Sequence, residues 1–452
     1  MSEHIRLKKG LDLPISGEAL CKVTKSVVPD VVSLKPTDFK GLVPRLLVKE
    51  GDPVKAGTPI FADKQHPEVL FCSPVAGTVQ SVVRGDKRKL LEIRIKAQAE
   101  NDYVEFDVPK AGSMNRENVA KALLESGLWP CIKQRPYGIV ADPQATPKAV
   151  FISAMNTAPL SANLDFTMEG ELENLQAGIN ALKCLTPGDV HISLNAKSSA
   201  GDEFHKLKNV ICHSFDGPHP AGNVGVQINH ISPINKGEVV WTVDLFLVAA
   251  IGRLFNTGRL DMSRTIAVAG PAAVNPSYVK CTYGICMSQI SEYFSTDKGD
   301  VRVISGDVLT GESVGADGFL GFYEDQVSVL AEGKYFEMFG WAKPFRFKKF
   351  SVSRAYPAFL FCKKKYDMDT NENGGQRPFL INDVYQKVLP MDIYALPLFK
   401  AILAGDIEKM ENLGIYEIVE EDVALCEYVC PSKVDIQKIV SDGIALMMKE
   451  MA

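Results

Sequence analysis

Hydrophobic and polar positions between residues 41 and 96 alternate in short runs that are separated by tight turns. The runs are GLVPRLLVKEGDPVKAGTPIF, SPVAGTVQSVV and LLEIRIK. Their β-branched residues are bounded by Gly, Pro and Asp, which favour turns. The pattern predicts a sandwich of short β-strands.

From about residue 113 the apolar residues recur at helical spacing instead. The segment NRENVAKALLESGL places Val119, Leu123, Leu124 and Leu128 on one helical face, and EGELENLQAGINALKCL is amphipathic in the same way. The continuous apolar runs KAVFIS, DVHISL and NVICHSF predict buried strands. This alternation of strand and helix predicts a mostly parallel sheet of the Rossmann-like kind.

Two further regions complete the chain. Residues 263–310 are rich in strand-forming residues and in Gly-Pro and Asn-Pro turns, which predicts a β-grasp-like module, and the last region begins with basic, aromatic strands and ends in helices. We therefore predict a multidomain α/β protein with four parts: a barrel-sandwich hybrid at 1–105, a Rossmann-like α/β domain at 106–260, a β-grasp-like module at 261–332 and a mixed C-terminal region at 333–452.

Composition narrows the function classes. The 452 residues are 46% hydrophobic and 23% charged, which is typical of soluble globular proteins too long for one core. The net charge of −5 argues against nucleic acid as the main partner. The most apolar stretch, 239–252, is shorter than the ~20 residues that span a bilayer. Without an N-terminal secretion signal and with ten scattered cysteines, we expect a cytoplasmic protein with reduced thiols.

The stretch ALCEYVCPSK resembles the end of an iron–sulfur binding run. Cys426 and Cys430 match the last two ligands of C-x2-C-x2-C-x3-C-P, whose first two ligands would fall at Glu420 and Val423. Valine cannot bind iron, and glutamate is a poor substitute for a thiolate. Either the two cysteines pack a helical turn, or distant cysteines complete a cluster. We predict the first, with no iron bound.

A flavin or dinucleotide site in the α/β domain would need a glycine-rich turn at a helix N-terminus. The sequence has no G-x-G-x-x-G and no P-loop, and the segment 129–143 has only Gly138 among bulky residues. The histidine spacings also match no metal motif. We therefore predict that the chain binds neither a flavin nor a metal.

Ligands of such domains bind where the carboxyl ends of the strands meet. If a cavity lies there, we expect an apolar cleft with a few polar groups, lined by the 129–143 segment, Asn156 and the 217–225 loop. A plain connecting loop at 217–225 is the alternative.

The segment 343–365 contains eight Lys and Arg residues, no acid and several aromatic residues, including Phe345. Three interpretations remain open: a solvated edge strand, contact with an anionic membrane or a membrane-embedded partner, and binding of single-stranded nucleic acid.

Several long motifs carry a family resemblance that covers essentially the whole chain. They are IRLKKGLDLPISG, SPVAGTV, DGPHPAGNVG, RVISGDVLTG, NENGGQRPFL, VLPMDIYALPL and EEDVALCEYVCPSK. Taken in order, they resemble the A subunits of Na⁺-translocating NADH:quinone oxidoreductases. The domain order is more distantly similar to the C subunit of the Rnf complex and to the NADH-binding flavoprotein subunit of complex I, which have the flavin loop and cluster cysteines that this chain lacks.

The strand pattern at 41–96 also resembles the biotinyl/lipoyl barrel-sandwich, in which a lysine at a hairpin tip carries the cofactor. Lys64 stands nine residues before Ser73, farther than in that family and in a proline-containing loop. We therefore expect an unmodified scaffold, with a carrier domain modified at Lys64 as the alternative.

The resemblance to the A subunits implies a peripheral subunit on the cytoplasmic face of the bacterial inner membrane, without a transmembrane segment. The complex would pass electrons from NADH through FAD, FMN, riboflavin and iron centres on subunits B to F to a quinone, and would export Na⁺. This chain would act in assembly and at the quinone-reduction end, without a redox cofactor or catalytic residue of its own, and would be inactive alone.

On this interpretation Asn156, His219 and Asn223 would donate hydrogen bonds to the quinone, and segment 343–365 would face the membrane-embedded subunits. The alternative is an autonomous flavin or iron–sulfur NADH dehydrogenase subunit of the Rnf or complex I type.

Overall fold

The structure is a computed structural model, and it describes residues 2–110, 112–198, 201–295, 297–335, 337, 340, 343, 346–361 and 363–450. The N-terminal part contains nine strands: β1 (His4–Arg6), β2 (Leu20–Ser26), β3 (Val31–Leu34), β4 (Pro44–Leu46), β5 (Pro53–Val54), β6 (Pro59–Asp63), β7 (Leu70–Cys72), β8 (Gly77–Arg84) and β9 (Leu90–Ala97). Strands β3, β9, β8 and β5 form one sheet, and β4, β6 and β7 form a second. The predicted barrel-sandwich is confirmed.

The α/β part alternates helices and strands: α1 (Arg116–Ser126), β10 (Lys133–Arg135), β11 (Ile139–Val140), β12 (Val150–Ala154), α2 (Leu164–Thr167), α3 (Leu172–Leu185), β13 (Val190–Asn195), α4 (Gly201–Phe204), β14 (Ile211–Asp216), α5 (Val224–Ile231), β15 (Val240–Asp244) and α6 (Leu245–Thr257). Its sheet has the order β1-β14-β13-β12-β15-β10-β11. The first five of these strands are parallel, and β10 pairs antiparallel with β15. The predicted mostly parallel sheet is confirmed.

Local chemistry explains where these helices begin and how they pack. The Asn115 side chain caps α1 by accepting a hydrogen bond from the Asn118 amide at 2.9 Å. Helices α3 and α6 pack in close contact through Gly178, where a Cβ atom would lie 2.2 Å from the Val248 carbonyl oxygen. One continuous core then joins the barrel-sandwich to the α/β sheet, with Trp129 and Trp241 buried edge to face in it.

The third part is a six-stranded sheet with the order β19-β18-β20-β16-β17-β2. Its strands are β16 (Ser263–Ala269), β17 (Ser277–Thr282), β18 (Val301–Ser305), β19 (Glu312–Ser313) and β20 (Gln326–Ala331). Strand β1 thus pairs with the α/β sheet and β2 with the third sheet, so these two strands pair outside the barrel-sandwich. The predicted domain bounds place these residues in 1–105 and stay a prediction.

The C-terminal part contains α7 (Val384–Val388), α8 (Ala395–Ala404), α9 (Ile407–Asn412), α10 (Glu420–Val429) and α11 (Ile436–Glu450). These helices share a core with Leu7, Met155 and Phe215 of the α/β part. The strands predicted at 343–365 are wrong for the described residues, which form turns and a short 3-10 helix, Pro357–Leu360. Pro357 lacks a ladder N–H, and Arg354 has a φ of 58°. Phe345 lies outside the described residues.

In the part of the chain that the structure describes, we find no helix that is both long enough and apolar enough to cross a membrane.

Candidate functional site

A cavity of about 460 Å³ lies at the carboxyl ends of strands β12, β14 and β15. It is lined by residues that follow these strands, among them Asn156, His219 and Asn223. The 129–143 segment contributes Lys133 and Arg135. The structure therefore brings together the residues that the sequence pattern indicated, because carboxyl ends of parallel strands meet at one edge. That Asn156, His219 and Asn223 contact a quinone stays a prediction.

The three predicted side chains differ in their surroundings. His219 is 3% exposed. Its backbone amide donates to the Asp12 carboxylate at 2.8 Å, and its Nδ1 lies 3.2 Å from the Thr157 hydroxyl. Burial lowers the pKa of His219, which favours the neutral ring.

The two asparagines are partly engaged already. Asn223 Nδ2 donates to the backbone carbonyl oxygen of Glu421 at 3.0 Å. Asn156 is exposed, and its Oδ1 accepts from the Ala158 amide at 3.0 Å. A ligand at Asn223 would therefore share that side chain with helix α10.

The expectation of an apolar lining is wrong. Seven carboxyl side chains line the cavity: Asp38, Asp244, Asp307, Glu324, Asp325, Glu420 and Glu421. Most of them come from the barrel-sandwich, the third sheet and the C-terminal helices, which close over the sheet edge. Sequence reasoning about the α/β domain alone has no signal for these neighbours, since their approach depends on how the domains pack.

Burial raises the pKa of several of these acids, Asp38 and Glu421 included. Burial, assisted by the charge of Asp244, raises the pKa of Asp325 to about 7. Burial also raises the pKa of Glu324 well above its usual value, assisted by Asp307. The cavity can therefore hold protons near neutral pH and donate hydrogen bonds.

Arg135 links the α/β sheet to helix α10. Its Nη1 donates to Asp422 Oδ2 at 2.6 Å, and its Nη2 pairs with Glu421. Arg135 and Asp422 are 3% and 1% exposed. Gly225 leaves room for the pair, because a Cβ atom there would lie 2.4 Å from Asp422 Oδ1.

The stretch that resembles an iron–sulfur run lies in and beside helix α10. Cys426 and Cys430 are each 1% exposed in the C-terminal core, and Cys430 Sγ lies 3.1 Å from the Tyr385 hydroxyl. Burial raises the pKa of the Cys426 thiol, so the thiol stays protonated. The other two positions of the run serve other contacts: Glu420 pairs with Lys40, and Val423 is fully buried. Among the described residues, no group of three or more His, Cys, Asp or Glu is placed to hold a metal ion.

The charge of the basic segment is partly neutralised in the fold. Lys343 and Arg346 pair with Glu337, Lys349 pairs with Asp369, and Lys365 pairs with Glu18. Its exposed cations without an ion pair to any described residue are Lys348, Arg354, Lys363 and Lys364, of which Lys364 donates to the Phe347 carbonyl oxygen. The local field is therefore weaker than the sequence indicates.

Lys64 is exposed in the loop between β6 and β7. Its backbone amide donates to the Val43 carbonyl oxygen at 2.8 Å. That the Lys64 side chain is unmodified stays a prediction.

Three family models match the chain. The NqrA N-terminal barrel-sandwich hybrid domain matches residues 5–98, the NqrA second alpha/beta domain matches 114–260, and the NQRA C-terminal domain matches 265–316.

Curated relatives match over the full length. The chain is 36% identical over 450 residues to the A subunit of the Na(+)-translocating NADH-quinone reductase of Yersinia pestis bv. Antiqua (strain Angola), covering 99% of this chain and 100% of that protein. It is 37% identical over 450 residues, with the same coverage, to the A subunit of the same enzyme from Vibrio atlanticus (strain LGP32). A solved NAD+-reducing NiFe hydrogenase overlaps 49% of this chain and 47% of its own, with a TM-score of 0.36 at 14% identity, which is too weak to indicate a shared architecture.

Proposed function

The chain belongs to the family of A subunits of Na⁺-translocating NADH-quinone reductases, and we propose that it serves such a complex as a peripheral component on the cytoplasmic face of the bacterial inner membrane. The observation that carries this proposal is the sequence identity of 36–37%, which extends over 99% of this chain and the whole length of the relatives. The three family models match in the same order along the chain as the predicted parts.

In this proposal the other subunits, B to F, hold the flavins and iron centres, and this chain holds none. Two features support this division. Arg135, which pairs with Asp422 of helix α10, lies in the segment 129–143, where a flavin-binding relative would have a glycine-rich turn. The two remaining cysteines of the iron–sulfur run are packed in a core.

The chain acts at the quinone-reduction end of the complex, and the cavity at the sheet edge binds the quinone head group. The two carbonyl oxygens of the head group accept hydrogen bonds, which Asn156, His219 and Asn223 would donate. Reduction of a quinone to a quinol takes up two electrons and two protons. The complex supplies the electrons, and the acids with raised pKa, Glu324 and Asp325, are placed to supply protons. The polar lining suits the head group and leaves the apolar tail outside.

Binding of a quinone analogue to the assembled complex and to the purified chain tests this site. We expect the double variant His219→Ala, Asn223→Ala to bind the analogue at least tenfold more weakly, since two hydrogen bonds of about 1 kcal/mol each are lost. The control is His205→Ala, Asn209→Ala, because both residues are exposed and do not line the cavity. Unchanged binding in a folded His219, Asn223 variant would place the quinone elsewhere.

A further inference from the structure

A second groove, of about 570 Å³, lies in the barrel-sandwich part of the chain. It runs between the segment 36–46 and the turn that joins β8 to β9. Its apolar wall includes Phe39 and Leu90, which are 4% and 6% exposed, and the half-buried Leu46. The groove shares no lining residue with the cavity at the sheet edge.

The charge of this groove is of one sign. Four cations line it, namely Lys40, Arg84, Arg88 and Lys89, and no carboxylate does. Lys40 pairs with Glu420 of helix α10. The other three are exposed and make no ion pair with a described residue. On a chain with a net charge of −5, these cations form a local positive patch.

The β8–β9 turn holds its cations on an unusual backbone. Lys87 and Arg88 have φ angles of 53° and 61°, which glycine or asparagine would adopt at lower cost. The Gly85 amide donates to the Lys89 carbonyl oxygen at 2.9 Å, and Arg84 Nη1 donates to the Arg88 carbonyl oxygen at 3.2 Å. Two such residues in succession are usual in a tight hairpin turn, which the Lys89 amide closes here by donating to the Asp86 carbonyl oxygen at 3.1 Å, so the turn fixes the backbone that carries Arg88 and Lys89.

Exposed apolar side chains accompany the cations. Val43, which lines the groove, is 44% exposed, and Leu47 on the same stretch of chain is 46% exposed. A free phosphate would gain nothing from these side chains. A nucleic acid would need an exposed aromatic platform, which the buried Phe39 does not offer. Cations beside exposed aliphatic side chains suit the boundary between lipid head groups and acyl chains.

We propose that this groove binds the anionic head group of a membrane phospholipid. Arg84, Arg88 and Lys89 contact the phosphate, since guanidinium groups match phosphate oxygens in pairs. Val43 and Leu47 lie at the acyl-chain boundary. The inference rests on the proposed function, in which a subunit on the cytoplasmic face meets this lipid surface.

Co-sedimentation of the purified full chain with lipid vesicles tests the proposal. We expect binding to vesicles of phosphatidylcholine mixed with phosphatidylglycerol, little binding to phosphatidylcholine alone, and weaker binding as salt rises. The triple variant Arg84→Gln, Arg88→Gln, Lys89→Gln should bind roughly a hundredfold more weakly, from about a fivefold loss per cation near an anionic surface. The control Lys8→Gln, Lys9→Gln, Lys22→Gln removes the same charge from exposed positions outside the groove and should retain most of the binding.

A separate variant tests the contact of the exposed aliphatic side chains with the membrane. The double variant Val43→Ser, Leu47→Ser should lose the part of vesicle binding that persists at high salt, because it keeps every cation. Both side chains are exposed, so the fold should tolerate the change. If inorganic phosphate protects the chain from heat unfolding as well as vesicles do, and this double variant binds vesicles normally, the groove is a free-anion site and the proposal is wrong.

Two further results would overturn the proposal. One is an equal loss of vesicle binding in the groove triple variant and in its all-lysine control, and the other is no binding to anionic vesicles by the wild type. The same preparations should be added to membranes of the complex from which this chain has been removed. If the wild type restores no NADH:quinone reductase activity there, the proposed function fails whatever the vesicles show. If it restores activity but does not bind vesicles, only the lipid inference fails.

Discussion

Arg135 is the residue whose chemistry most affects how the C-terminal helices meet the α/β sheet. The guanidinium is almost fully buried, and its charge is balanced by Asp422, which is buried as well, and by Glu421. A buried ion pair stabilises little relative to an apolar pair, but the loss of one partner leaves an uncompensated charge. Arg135 therefore holds α10 in place and shapes one wall of the cavity.

Arg135→Ala should destabilise the attachment of helix α10 by about 3–5 kcal/mol, because Asp422 would be left buried without its partner. The measurement is the opening free energy of the α10 amides by hydrogen exchange. Arg259→Ala is the control, since its pair with Glu105 is exposed on both sides and its loss should leave the opening free energy of the α10 amides unchanged. Equal effects of the two variants would contradict this role of Arg135.

Asp325 gives the cavity a pH dependence with a definite sign. Its pKa in the fold, about 7, lies above the usual value of 3.8, so the folded chain binds a proton that the unfolded chain releases between these limits. The contribution of Asp325 to the free energy of unfolding is fully present below the lower pKa and is lost as pH rises through the upper one. Asp325→Asn should remove this loss.

Between pH 5 and 8 we expect the free energy of unfolding of the wild type to fall by about 2 kcal/mol more than that of the variant. This is less than the full linkage value, because Asp325 is only half-buried and solvent screens its charge. Urea denaturation at several pH values measures the difference. Parallel pH profiles of the two proteins would rule out a raised pKa at Asp325.

At the residue scale, sequence reasoning located part of the site. Asn156, His219 and Asn223 follow strands whose carboxyl ends must meet, so their convergence was predictable. Asp38 and Asp307 belong to other domains, and no local pattern indicates that they approach the same edge. The apolar character expected of the cavity was wrong for this reason.

Among the elements, helix α10 shows that residues spaced like an iron–sulfur run can serve packing and ion pairing. Its thiol at 426 faces the C-terminal core, and the side chain at 420 faces Lys40 instead. A sequence pattern gives the spacing of such residues, but it does not show whether they bind a cluster or pack in a core. Here Val423, at one of the four positions, is fully buried in the C-terminal core.

Cys426→Ala and Cys430→Ala should each cost about 1–2 kcal/mol of stability through lost packing, and should leave the electron transfer of the complex unchanged. Thermal unfolding and NADH:quinone reductase activity of the reassembled complex measure the two effects. Cys72→Ala, another buried thiol, is the control for packing loss. A stoichiometric loss of iron in either of the first two variants would contradict the packing role.

Ion pairs within the fold leave fewer free cations in the basic segment, residues 343–365, than its sequence indicates. Because Lys349 already pairs with Asp369, the docking surface proposed for 343–365 depends on Lys348, Arg354 and Lys363. Changing these three to Glu should weaken reassembly with membranes that lack this chain, by roughly 1 kcal/mol or more per residue at low salt. Lys8, Lys9 and Lys22 changed to Glu form the matched control. If the segment variant reassembles as well as the wild type at low salt, the segment is only a solvated turn and the docking role is wrong.

On the scale of the whole molecule, the order of the parts was predictable because each has its own periodicity. Alternating strands, helix-spaced runs and turn-rich β segments follow one another along the chain. The crossing of β1 and β2 into other sheets was not predictable, since short strands carry no signal for their distant partners. The same crossings tie the N-terminal strands to the α/β sheet and the third sheet, and the cavity is lined by residues from Asp38 to Gln437.

The most direct test of the central claim is reconstitution. Purified chain, scanned for flavin and iron absorption, is added to membranes from a strain in which the gene for this chain is deleted, and Na⁺-stimulated NADH:quinone reductase activity is followed. We predict a colourless chain that is inactive alone and restores the activity of these membranes. A chain that contains stoichiometric flavin or iron and reduces quinone with NADH by itself, or one that restores nothing, would contradict the claim.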